Sequence, residues 1–143
     1  MLQAQMQAGA YATVTPQSLK IISINTDFWY KVNYFNYVNT TTTNPDNSGM
    51  LRFLINELQA AENAGQRVWI IGHVPAGYDG SNLIINPPNL FYAIVQRYCP
   101  ATIAGIFWGT ITSGYLQSLL LLSTRQKTAL YLRRGHIILR RRW

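Results

Sequence analysis

Leu51, Leu54, Ile55 and Leu58 fall at i, i+3, i+4 and i+7, the spacing that lines one face of an α-helix. Asp46 or Ser48 is placed to cap the start of that helix and Gly65 to stop it. A second helix is predicted after Pro87-Pro88, with Phe91, Ile94, Val95 and Tyr98 as its apolar face. Three segments have the β-branched, short-run character of strands: Leu19–Asn25, Arg67–Gly72 and Ile103–Trp108. Val68, Trp69, Ile70 and Ile71 form a continuous apolar run, which predicts a strand covered on both faces. The order strand, helix, strand, helix, strand predicts right-handed βαβ crossovers and a largely parallel sheet, hence an α/β architecture. Between these elements lie an aromatic loop from Phe28 to Tyr37, a Thr- and Asn-rich connection over 39–48, and a Gly- and Asn-rich loop after Gly77.

Composition changes this picture at one end only. With 143 residues, 48% hydrophobic and 13% aromatic, the chain has enough apolar material for one core. The net charge of +7 would ordinarily point to a nucleic-acid or anionic-membrane partner. It is carried, however, by Arg125, Lys127, Arg133, Arg134 and Arg140–Arg142. The basic and acidic residues before Arg125 balance, so no basic domain face is predicted and no nucleic-acid partner is expected. Residues 98–124 carry no charged side chain and are flanked by basic residues, the outline of a membrane span. Gly109–Ser118 is too polar to favour that reading. A single cysteine, Cys99, excludes an intramolecular disulfide and is read as a small buried hydrophobe. Met1–Gly9 has neither a basic nor an apolar leader region, so no secretory signal is expected, and the location is left open. Asn39-Thr40-Thr41 satisfies a glycosylation sequon.

The most pointed chemistry is Gly72-His73-Val74-Pro75, an abrupt loop at the end of an apolar strand. In α/β sheets the reacting groups gather beyond the carboxyl ends of such strands, and His73 occupies that position. Taken alone it is one imidazole; the other histidine, His136, lies in the basic end. His73 with Asp79 and Cys99 matches no standard metal spacing. Asp27, beside Phe28, Trp29 and Tyr30, reads as a loop cap rather than a catalytic acid, because no positioned partner is evident. The aromatic cluster Phe28, Trp29, Tyr30, Tyr34, Phe35 and Tyr37 has two readings, core packing or a lipid- or choline-facing surface.

In order along the chain, Gly9–Val14, Leu19–Tyr30, Gly49–Glu62, Arg67–Gly77, Asn89–Tyr98 and Ile103–Gly109 resemble the C-terminal part of the calcineurin-like metallophosphoesterase domain of acid sphingomyelinase and its relatives. The resemblance implies a partial α/β sandwich over 1–109, about half of a four-layer domain. Residues 110–143 are then a divergent segment, apolar and then Arg-rich, whose basic C-terminal tail is expected to be disordered or helical. It also implies hydrolysis of sphingomyelin-like phosphodiesters at a dinuclear zinc centre, a phospholipid or sphingolipid substrate, a possible membrane surface as partner, and His73 as one metal ligand. Family members are secreted or lysosomal. The family's upstream ligand motifs would precede residue 1. Its final Gly-His-x-His loop would fall where Gly109-Thr110-Ile111-Thr112 stands, with threonines for both histidines. The expectation is therefore a fragment of a phosphodiesterase, decayed or frame-shifted after Gly109 and inactive as this chain alone. The competing expectation, from a different class, is a non-enzymatic membrane-associated or interaction protein working through residues 98–143.

Overall fold

A computed structural model describes residues 8–37, 46, 48–74, 76, 86–109, 116–124 and 127–133. Among these residues, six strands and two α-helices are arranged as one sheet with a helical layer. The strands are β1 (Tyr11–Val14), β2 (Leu19–Ser23), β3 (Arg67–Gly72), β4 (Ile103–Gly109), β5 (Leu116–Thr124) and β6 (Lys127–Arg133), and spatial order equals chain order. The helices are α1 (Met50–Asn63), between β2 and β3, and α2 (Asn86–Tyr98), between β3 and β4.

The α/β expectation holds, but the sheet is mixed. β2, β3 and β4 are parallel, as helix-bearing crossovers require, whereas β1, β5 and β6 pair antiparallel with their neighbours. A tight turn produces the first antiparallel pair: Pro16 presets the bend, Ser18 adopts φ +64°, and its N–H reaches the Thr15 carbonyl at 2.9 Å.

α1 forms where the apolar spacing predicted, burying Met50, Leu51, Phe53, Leu54, Leu58 and Ala61. Gly49 occupies the cap position with φ +70° and has no side chain to offer. Both predicted capping residues act instead from further back. Asp46 accepts from the Leu51 and Arg52 N–H groups at 3.1 and 2.9 Å, and Ser48 accepts from Met50 N–H at 3.3 Å. At the other end Gly65, at φ +64°, donates to the Glu62 carbonyl while Gln66 donates to that of Ala61, a Schellman closure. α2 buries Phe91, Ile94, Val95 and Tyr98, the face its sequence spacing marked. The helices are joined by an Arg97–Glu62 pair at 3.0 Å, and hydrogen bonding from the guanidinium holds Glu62 below the usual carboxylate range.

Both helices lie over one face of the sheet. Cross-strand partners Ile22, Ile70 and Ile106 point into this core, as do Val68, Ile103 and Trp108. The expectation that β3 is covered on both faces is corrected here. Along β3, Val68 and Ile70 are fully buried but Trp69 is 40% exposed. Side chains of a strand alternate, and no element among the described residues covers the second face, where Ile21, Trp69 and Gly105 are register partners. Trp69 and Phe107 instead stack edge to face at 5.2 Å, with the Phe107 ring over the bare backbone of Gly105.

The expectation of a disordered or helical basic tail is also corrected over its described residues, which form β6. β5 pairs with β4 and β6 folds back on β5, because the edge of β4 presents unpaired N–H and C=O groups that another strand can satisfy. No helix among the described residues is long and apolar enough to cross a membrane. The uncharged stretch 98–124 contributes instead to β4 and β5.

Candidate functional site at the end of β3

His73 follows directly on β3, and its side chain is exposed. Its place is fixed from below. A Cβ on Gly72 would lie 2.5 Å from Cζ3 of Trp108 and 3.0 Å from Cγ2 of Thr26, so only glycine lets the strand end descend onto these two side chains. Trp108 is itself held in an aromatic triad, 5.9 Å from Trp29 and 5.7 Å from Phe91, with Trp29 and Phe91 5.2 Å apart. The Trp29 indole N–H is buried without an acceptor among the described residues, so this side chain contributes ring surface rather than a donor.

The loop is held from the side by Thr26. This buried hydroxyl accepts from the backbone N–H groups of His73 at 3.1 Å and Val74 at 2.7 Å, which ties the start of a 3-10 turn (Thr26–Trp29) to the end of β3. Further along, the buried Ala76 carbonyl accepts from the Tyr92 hydroxyl at 2.9 Å, and burial pushes the Tyr92 pKa up. Sequence reading found His73 but missed Thr26, because a threonine hydroxyl serving a loop 47 positions away leaves no local pattern. Replacing Thr26 by valine would strand two backbone donors. A loss of about 1–3 kcal/mol is expected in denaturant unfolding, together with faster amide exchange at His73 and Val74, whereas Thr26→Ser keeps the acceptor and most of the stability.

Asp27 does not act as the cap. Asn25 Oδ1 accepts from Asp27 N–H at 3.1 Å and so caps the 3-10 turn, while the main-chain carbonyl of Asp27 collects the side-chain amides of Asn33 and Asn36. Within the aromatic cluster Trp29 is buried and Phe28 packs against the core, as core packing requires, whereas Tyr34 and Phe35 are 83% and 75% exposed and do not pack there. Cys99 is half-buried against the core. Burial raises its thiol pKa, with the Arg67 charge acting in the opposite sense, so little reactive thiolate forms. Asp79, Thr110, Thr112 and His136 lie outside the described residues.

Three or four protein ligands make a zinc site. Among the described residues no group of three or more His, Cys, Asp or Glu is close enough to hold a metal. The described residues therefore do not by themselves fit a dinuclear centre.

No family profile matches the chain. Over 101 residues, 71% of the chain, it is 40% identical to sphingomyelin phosphodiesterase of Bos taurus and 39% identical to that of Homo sapiens. The matched part of this chain belongs to the sphingomyelin phosphodiesterase family. Sphingomyelin phosphodiesterase 1 of Caenorhabditis elegans is 32% identical over 104 residues, 73% of the chain. In each case the match spans only a small part of the relative, 15% of the mammalian proteins and 17% of the nematode one.

Proposed function

We propose that residues 1–109 are part of a metal-dependent phosphodiesterase domain acting on sphingomyelin-like phosphodiesters, to which they supply His73 as one metal ligand, and that residues 110–143 are a divergent extension. The observation that carries this reading is the placement of His73: an exposed imidazole at the carboxyl end of a central parallel strand, on a backbone pinned by Thr26 and floored by Gly72 and Trp108, in a chain homologous to phosphodiesterases. When bound, a zinc pair would supply an activated hydroxide and neutralise charge on the phosphate oxygens. This chain's contribution is to hold the His73 imidazole at a fixed point above the sheet. The uncovered second face, with Trp69 and Phe107, is then the surface on which the other half of a layered sandwich packs.

Fragment complementation tests the proposal. Co-expressed with a sphingomyelin phosphodiesterase from which the homologous segment has been removed, this chain is expected to restore zinc-dependent release of phosphocholine. Outer partners of metal ligands are worth about 10–100-fold, so His73→Ala is expected to cost at least about a hundredfold of that activity. The chain alone is expected to give no chelator-sensitive turnover. Complementation indifferent to His73→Ala overturns the ligand assignment, and turnover by the isolated chain overturns its inactivity.

A further inference from the structure

The segment from Tyr30 to Phe35 projects Val32, Tyr34 and Phe35 into solvent at 52%, 83% and 75% exposure, with Tyr30 at 36%. Yet its backbone is closely tied down. Asn36, itself buried, donates to the Tyr30 carbonyl at 2.6 Å and the Asp27 carbonyl at 3.2 Å. Asn33 donates to the Asp27 carbonyl at 3.1 Å and accepts from Phe35 N–H at 3.2 Å. Main-chain bonds from Asn33 to Tyr30 and from Asn36 to Asn33, both 3.0 Å, close the turns between. The chain thus uses two asparagines to hold four apolar or aromatic side chains away from a core that already contains Trp29 of the same run.

We propose that Tyr30–Phe35 is a preformed docking element for the headgroup region of a zwitterionic, phosphocholine-bearing lipid surface. Tyrosine rings with a polar tip beside a fully apolar phenylalanine and valine suit the boundary between acyl chains and headgroups. The charges in this segment and the turn before it, Asp27 and Lys31, balance, so nothing here selects an anionic surface. Stable protein interfaces bury about 800 Å² per side, whereas shallow insertion into a bilayer needs only a small group of apolar and aromatic side chains such as this one. Because the backbone is already ordered, docking costs little additional conformational entropy. Thr26 binds this segment's base to His73 and Val74, so a docked loop holds the end of β3 next to the lipid layer.

The inference rests on the lipid-phosphodiesterase reading for its choice of lipid, but its test involves neither metal nor hydrolysis and so can fail separately. Partitioning of the full chain onto phosphatidylcholine vesicles is measured in about 1 M salt, where charges are screened within roughly 3 Å and the Arg-rich end is silenced. The parent chain is expected to bind. The Tyr34→Ser/Phe35→Ser double variant is expected to lose at least about tenfold in partition coefficient, and Val32→Asp to weaken it in the same direction. All three positions are exposed, so the fold is retained, which circular dichroism verifies. A parent chain that does not bind, or a double variant that binds equally well, overturns the proposal. So does a parent that self-associates through these residues while vesicle binding is unchanged, a result that would assign the surface to a second copy instead.

Discussion

Replacing Glu57 by leucine is expected to cost about 3–5 kcal/mol of folding free energy, because it leaves the ammonium of Lys20 buried without its counter-ion. Lys20 is an unusual residue for the inward face of a central strand. It sits on β2 beneath α1, only 7% exposed, with Nζ 2.6 Å from Glu57 Oε2 and 3.1 Å from the Glu57 main-chain carbonyl. The retained carbonyl bond puts the expected loss toward the lower end of the range. Lys20→Met/Glu57→Leu removes both charges and fills the space with apolar volume, so the double variant should recover most of the loss. Urea unfolding of the parent, both single variants and the double variant closes the cycle. A double variant as unstable as Glu57→Leu alone would mean that packing around Glu57, not charge, sets the cost.

Trp108→Ala is expected to be comparably severe, about 3–5 kcal/mol, a large share of the 5–15 kcal/mol that small domains possess. Trp108 is almost completely buried, contacts Trp29 and Phe91, and forms the surface on which Gly72 rests. Its removal opens a void under the end of β3, so the backbone carrying His73 loses its floor together with core volume. Gly72→Ala probes the same contact from above. Its new Cβ would meet the Trp108 ring at 2.5 Å, so the ring must shift, at a cost of about 1–3 kcal/mol. Since the two changes share one contact, Gly72→Ala combined with Trp108→Leu should cost less than the two single changes added together. Strict additivity in thermal unfolding would show that Gly72 and Trp108 do not constrain each other.

These effects show why some parts of the molecule were legible in the sequence and others were not. α1 and α2 were, because a helix repeats its buried face every three or four positions, and Leu51, Leu54 and Leu58 or Phe91, Val95 and Tyr98 mark that face directly. The bounds of β3 were equally plain, since the apolar run stops at Gly72. Which face of β3 is covered was not: Val68, Trp69, Ile70 and Ile71 are all apolar, so the run carries no alternation to show that Trp69 looks outward. Strands β5 and β6 were hidden for a different reason. Their formation depends on the free edge of β4, a partner that composition does not report. At the site, His73 was visible as a motif. Thr26, Trp108 and Asn36 act through the folded chain and were not visible as functional supports, although each determines how a loop is held.

The chain-order arrangement of the sheet bears on how the protein comes into being. Each strand from β2 onward adds to the edge left by the strand before it, so no strand must wait for one synthesised later to be inserted between it and its predecessor. A nascent chain can therefore build this sheet from the β1 edge outward as it leaves the ribosome, closing the β1–β2 hairpin first and then adding each parallel strand with the helix that precedes it. At every stage the growing edge is the site for the next strand, and it is also the place where a strand from another chain could add by mistake.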